Sequence, residues 1–242
     1  MRAGEEAVLF VSFGRPFGEL EREARARFPG ASIRCACLHA PAGEEDAEKA
    51  LSRLAAEGFG AVLCQPVLLG RGREYESFLR RVLPFSGRFA RFAAGGPLLI
   101  CDAHGRDLAA ELRCSVPAPD EGGAAVFVGH GGEPVSLLAR GFAALGMERW
   151  HVGAIAGDPA PEALAVRLRG AGVRRVVLAP LLLRDGLHAS RDVFGPPPSW
   201  QSSLEAAGLA VSPHRDGLAD LDGVRALFLR RAEEGFAALP PG

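Results

Sequence analysis

The feature that most limits how this chain can fold is an apolar, strand-like run, broken by a single proline, that occurs twice. Gly58–Glu76 (GFGAVLCQPVLLGRGREYE) lies over Gly172–Ser190 (GVRRVVLAPLLLRDGLHAS) at a constant offset of 114 residues, Gly58 to Gly172. In this frame Pro66 falls on Pro180, Gly72 on Gly186 and Glu74 on His188. A second pair, Ala7–Gly14 (AVLFVSFG) and Ala124–Gly131 (AAVFVGHG), puts Phe13 on His130. A repeat of this kind points to a duplicated structural unit. Short apolar runs alternate with longer amphipathic segments, and strands buried on both faces between helices form parallel βαβ units. The expected fold is therefore α/β, with two similar domains, each a parallel sheet flanked by helices, and a cleft between them. The turn-rich Val116–Gly123 (VPAPDEGG) marks the expected boundary, giving domains 1–122 and 123–242.

The expected strands are Ala7–Phe13, Ser32–Leu38, Ala61–Leu69, Pro97–Cys101, Ala125–Val128, His151–Ile155, Arg175–Leu183 and a short one at Ala210–Val211. Expected helices are Gly18–Phe28, Glu44–Glu57, Glu74–Leu83, Asp107–Arg113, Val135–Leu145, Pro161–Arg169, a helical region reaching about Ala207, and Asp222–Ala238. A proline inside a central strand is awkward, because it cannot donate to the ladder; its recurrence points to a shared bend near the strand end.

Composition narrows the function classes. The 28 basic and 29 acidic residues leave a net charge of −1, which argues against a nucleic-acid partner. Hydrophobic residues make up 48%, enough for a sizeable core. The longest apolar run, Val176–Leu183, stops at Arg184, far short of the roughly 18 residues of a membrane span. The opening Met1–Glu6 is acidic and carries no cleavage signal, so a cytoplasmic setting is expected. Five cysteines without a C-x-x-C spacing read as buried thiols, not as a disulfide framework or zinc ribbon. Lys49 is the only lysine among the basic residues. Codon bias explains that; so does recognition of carboxylates or phosphates by guanidinium forks.

In open parallel sheets ligands bind beyond the carboxyl ends of the strands. Polar residues at those ends are Ser12, His39 and Glu74 in the first half, and His130, Asp158, Asp185 and His188 in the second. His130 sits in Gly129-His130-Gly131-Gly132 directly after a strand, where glycines permit close backbone approach and Pro134 opens a helix. His188 follows the second proline-marked strand, and Glu74 holds the equivalent place in the first half. Two neutral imidazoles and a carboxylate suit a divalent first-row metal such as Co, Ni, Fe or Zn better than Mg. A structural histidine–carboxylate hydrogen bond is the competing reading. Gly-His-Gly-Gly lacks the dinucleotide and Walker glycine patterns, and no G-x-S-x-G occurs. His104 is expected at a strand end, His39, His151 and His214 in structural or incidental places, and Trp200 in a loop after Pro196–Ser199.

These residues carry a family resemblance. VSFG at Val11–Gly14, QP-x-x-x-x-x-G-x-EYE at Gln65–Glu76, VFVGHG at Val126–Gly131, and VVLAPLLL…G-x-HA…D at Val176–Asp192 resemble the anaerobic single-subunit cobalt chelatases (CbiK type) of the class II tetrapyrrole chelatases. Ser199–Trp200 and Gly217–Leu218 match in place. The resemblance implies a two-domain fold whose final helix packs back on the first domain. It also implies insertion of Co²⁺ into sirohydrochlorin or a related tetrapyrrole on the way to cobalamin, with Fe²⁺ or Ni²⁺ as other candidate metals and no organic cofactor. Carried over by position, His130, His188 and Glu74 are the metal ligands and catalytic groups. The expected partner is a tetrapyrrole polycarboxylate, for which Arg15, Arg71, Arg73, Arg184 and Arg191 are candidate contacts. Self-association into a homo-oligomer stays open.

The chain also departs from the family pattern. Leu187 stands where an acidic residue usually precedes the second histidine, Arg191-Asp192 stands for Asn-Asp, and Arg15 for Thr. Ala156 stands for a Glu, and Gly217–Leu221 reads GLADL in place of GLGEN. Losing groups that orient a ligand histidine commonly costs 10–100-fold in affinity or activity. Asp185, Asp158 and Asp192 are candidates to compensate. The alternative reading is a non-catalytic carrier of tetrapyrrole, haem or metal on a chelatase scaffold.

Overall fold

The computed structural model describes residues 5–15 and 17–239. The chain divides into two compact units: one formed up to Leu98 and again from Ala226, the other by Leu99–Arg225.

The first unit contains β1 (Glu6–Ser12), α1 (Gly18–Arg27), β2 (Ala31–Cys37), α2 (Ala47–Glu57), β3 (Ala61–Val67), α3 (Arg73–Val82) and β4 (Arg91–Ala94). Its sheet is wholly parallel in the order β2-β1-β3-β4. β1 and β3 are buried almost throughout, as central strands covered on both faces must be. α2 starts where the Asp46 side chain accepts from Glu48 N–H at 2.9 Å, and it ends on Gly58 in the left-handed region at φ 85°. Leu51, Leu54, Val62, Phe78 and Val82 meet in the core of this unit.

The second unit contains α4 (Asp102–Ser115), β5 (Gly123–Gly129), α5 (Glu133–Ala144), β6 (Trp150–Ala154), α6 (Pro161–Gly170), β7 (Arg175–Pro180), α7 (Trp200–Ala206) and β8 (Ala210–Pro213). Its order, β6-β5-β7-β8, repeats that of the first sheet, again wholly parallel. The last helix, α8 (Asp222–Ala237), opens in this unit and from Ala226 belongs to the first. Among the described residues no helix is long and apolar enough to cross a membrane.

The duplication extends to individual hydrogen bonds. Leu38 N–H donates to Ser12 carbonyl at 2.8 Å, and Ile155 N–H to Gly129 carbonyl at 2.7 Å. Likewise Glu76 donates to Gly72 at 2.9 Å, and Ser190 to Gly186 at 2.9 Å. Pro66 pairs with Val11 as Pro180 pairs with Val128. The prolines do not bend their strands out of register. Cys64 carbonyl accepts from Gly95 N–H, so positions 64 and 66 face the β4 side, yet β4 pairs only as far as Cys64. Leu178 accepts from His214 in the same way, and β8 pairs only to Leu178. Each proline thus turns its missing N–H toward a side where the ladder has already ended, which is where a sheet tolerates it.

Three sequence expectations are corrected. Pro97–Cys101 is not a strand; the edge strand is the four-residue, half-buried Arg91–Ala94, too short to stand out. Helix α4 begins at Asp102, so His104 lies in its first turn and not at a strand tip. Trp200 opens α7 and is buried, its indole N–H donating to Ala154 carbonyl at 3.3 Å; Ser199 and Ser202 cap that helix reciprocally. The two compact units divide after Leu98 and again before Ala226. Helix α4 packs on α5 at glycine: a Cβ on Gly105 would meet Leu137 carbonyl oxygen at 2.2 Å, and one on Gly141 would meet Gly105 carbonyl oxygen at 2.2 Å. That close approach places α4 with the second sheet, and the turn-rich Val116–Gly123 only joins α4 to β5.

Candidate metal centre

With strand order 2-1-3-4, the chain leaves β1 in one direction and returns over it to β3. The crevice beyond the carboxyl ends of these two strands is the topological switch point, where open α/β sheets bind ligands. In the second unit the corresponding strands are β5 and β7. His130 follows β5 immediately, and His188 lies on the loop that leaves β7. The structure brings the two together: their ring centroids are 4.5 Å apart, edge to face, with planes at 86°. Two imidazoles on one ion at about 2.1 Å each, near a right angle, put their centroids roughly 4.5–5 Å apart. Both histidines are exposed.

The local sequence holds each ring in place. At Gly131 (φ 117°) a Cβ would stand 2.4 Å from Ala156 carbonyl oxygen, so the turn after β5 closes against the end of β6 only with glycine there. His130 is then the one side chain between Gly129 and Gly132. The His188 loop is anchored by Leu218 and Ala219 N–H donating to Leu182 and Leu183 carbonyls at 2.8 and 3.1 Å. Gly217 is required at that contact, since a Cβ would meet Arg184 Cα and Leu183 carbonyl oxygen at 2.7 Å. His188 leads into a π-helical turn, Ala189–Val193, which brings Asp192 beneath it.

His188 Nδ1 lies 2.7 Å from Asp192 Oδ2. An ionised carboxylate only accepts, so Nδ1 carries the proton and the lone pair is left on Nε2, the nitrogen free for a metal. Arg191 grips the same carboxylate with both arms of its fork, Nε to Oδ1 at 2.7 Å and Nη2 to Oδ2 at 2.9 Å. The Arg191 guanidinium, with His188 adding to it, holds the Asp192 carboxyl down to about 2. His188 is therefore oriented although Leu187 is not acidic; Asp192 is the acid that meets its ring, while Asp158 and Asp185 are exposed.

In the first unit the switch point carries different side chains. Phe13 follows β1 and is 47% exposed; His39 stands edge-on to it at 4.8 Å. Glu74 lies in the first turn of α3 and is exposed. Ser12 is buried and donates to Gly14 carbonyl at 2.6 Å, shaping the strand tip. Arg15, Arg71, Arg73, Arg184 and Arg191 are all exposed. Among the described residues no group of three or more His, Cys, Asp or Glu side chains is placed to hold a metal ion. His151 is half-buried in β6, its pKa lowered by burial and by Arg167. His214 lies 3.7 Å from Asp216. None of the five cysteines forms a disulfide; burial, with Glu21 adding to it, pushes the Cys35 thiol up to about 12, while Cys101 and Cys114 are exposed. Asp192 as the orienting group was open to sequence reading, because four residues separate it from His188; the fork from Arg191 was not.

Residues 44–236 match the cobalt chelatase (CbiK) family. The chain is 33% identical to the sirohydrochlorin cobaltochelatase of Salmonella typhimurium over 188 residues, covering 75% of this chain and 70% of that one. It is 32% identical to sirohydrochlorin cobaltochelatase CbiKC of Nitratidesulfovibrio vulgaris, covering 97% and 92%. Among solved structures, SirB from Bacillus subtilis with Fe³⁺ superposes with a TM-score of 0.67 at 18% identity, covering 96% of each chain, a likeness of fold.

Proposed function

The chain belongs to the cobalt chelatase (CbiK) family and is a metal chelatase, and on that premise we propose that it inserts Co²⁺ into sirohydrochlorin in the cytoplasm, with His130, His188 and Glu74 as its working groups. The observation that carries this reading is the pair of imidazoles at the switch point of the second sheet, one of them oriented through Nδ1.

Inserting a divalent metal expels two pyrrole N–H protons, so the site must accept protons near neutral pH. Imidazole is suited to that and to transient metal binding. His188 presents Nε2 because Asp192 holds Nδ1–H, and the ionised Asp192 stabilises the imidazolium when a proton arrives. Two imidazoles without a thiolate bind cobalt loosely enough to release it. Glu74 stands in the first sheet where His188 stands in the second, beyond the proline-marked strand and after the equivalent glycine; that equivalence, with the family resemblance, supports it as the third ligand. The exposed arginines offer forks for the carboxylates of the macrocycle. The carrier alternative drew on lost orienting groups, and Asp192 removes that motive for His188.

The test is purified protein with sirohydrochlorin and Co²⁺, followed by absorbance, with Fe²⁺ and Ni²⁺ in parallel. A rate no higher than spontaneous insertion overturns the proposal. His130→Ala with His188→Ala is expected to abolish the enzyme-dependent rate. Glu74→Gln is expected to cost about tenfold or more in use of cobalt, at least what metal sites lose with a group that only orients a ligand; an unchanged rate removes Glu74 from the site.

A further inference from the structure

We propose that Arg191 is a positioning residue for metal transfer: its guanidinium clamps Asp192 so that the carboxylate holds His188 with Nε2 presented to the incoming ion. The inference rests on the reading of His188 as a metal ligand.

Three contacts converge on one carboxylate. Arg191 takes Oδ1 at 2.7 Å and Oδ2 at 2.9 Å, and His188 Nδ1 meets Oδ2 at 2.7 Å. A carboxylate held only by an exposed imidazole rotates freely and exchanges its partner with water. One held in a planar two-point fork has its plane fixed, and the direction of its remaining acceptor sites with it. Asp192 is mostly covered, at 19% side-chain exposure, whereas Arg191 is 59% exposed. The guanidinium thus lies over the carboxylate from the solvent side. On a regular α-helix adjacent side chains do not face each other; here both residues lie in the π-helical turn Ala189–Val193, and the Arg191 guanidinium turns onto the carboxylate of the residue that follows it. By the family resemblance, position 191 is also one of the places where this chain departs from the usual pattern, an arginine standing for asparagine four residues after Leu187, which stands for an acid. The local support of the second histidine is here built around a cation.

A lysine at 191 keeps the charge but not the fork, because its ammonium is a point donor. This separates positioning from charge. The experiment compares the wild type with Arg191→Ala, Arg191→Lys and Arg191→Asn in cobalt insertion, with KM for Co²⁺ and KM for sirohydrochlorin measured separately. It also records the ¹⁵N resonances of the His188 ring in the metal-free protein, which report its tautomer. The proposal expects Arg191→Ala and Arg191→Lys alike to raise KM for Co²⁺ about tenfold, as for other groups that orient ligand histidines. It expects the sirohydrochlorin KM to stay within about twofold, and the His188 ring to move toward a mixture of tautomers. Arg191→Asn, the family-like residue, is expected to recover part of the loss. A rise confined to the sirohydrochlorin KM makes Arg191 a substrate contact and overturns the proposal. So does a wild-type-like Arg191→Lys, or a His188 tautomer unmoved in all three variants. Absence of wild-type cobalt insertion sinks the chelatase reading instead, and the tautomer measurement still decides the clamp.

Discussion

The two switch points share a backbone and differ in chemistry. At the first, His39 N–H donates to Phe13 carbonyl at 3.0 Å; at the second, Ala156 N–H donates to His130 carbonyl at 3.2 Å. Residue for residue, Phe13, His39 and Glu74 occupy in one sheet the places that His130, Ala156 and His188 occupy in the other. The first offers an aromatic face with one imidazole against it; the second offers two imidazoles packed edge to face. The lesson is that strand order and hydrogen bonding fix where a ligand sits, while a few tip residues decide what is done to it. The same divergence reaches the sheets. Ala36 in β2 and Gly153 in β6 hold equivalent register positions, opposite Val11 and Val128, but only Gly153 faces a tryptophan ring.

The sharpest way to break the comparison is to make the second tip like the first. His130→Phe is expected to fold, since phenylalanine is exposed at the equivalent tip. It is expected to reduce cobalt insertion by at least about a hundredfold, the lower range for loss of an acid–base group. Retained activity places the chemistry elsewhere. A smaller effect is expected from Gly153→Ala, which makes β6 like β2. The added Cβ would stand 2.2 Å from Trp200 Cη2, so overpacking is expected to cost about 1–3 kcal/mol, read as a lower midpoint in urea. The smallest concerns His151, which stands where the first sheet has Arg34. Burial and Arg167 hold its pKa below the ordinary 6.5. The unfolded chain therefore takes up the proton first as pH falls. His151 costs nothing above about pH 6.5, and stability declines as pH drops from there through the folded pKa. His151→Gln is expected to flatten stability against pH in that window alone; an unchanged slope assigns it to other groups.

Much of this was legible in the residues. The repeated proline-marked run announced the duplication, and strand-end position picked out His130 and His188 without knowledge of the fold. Other points were hidden for physical reasons. Arg91–Ala94 is an edge strand, set by pairing with β3 and not by its own apolar content. The placement of α4 turns on Gly105 and Gly141 packing backbone to backbone, and a lone glycine in a helical pattern does not reveal its partner. Trp200 follows three prolines and reads as loop, yet it is fixed by the space Gly153 leaves.

The sequence by itself determined the class of fold, the repeat and the residue types at the strand tips, because hydrophobic period and glycine or proline placement act locally. Tertiary structure alone decided that the two imidazoles meet at 4.5 Å, that Asp192 takes Nδ1 of His188, and that Arg191 holds Asp192 with both arms. The imidazole pairing joins residues 58 positions apart, and the clamp depends on a π-helical turn. Contacts of that kind follow from how strands are ordered and how a loop is anchored, not from the local preferences of the residues that make them.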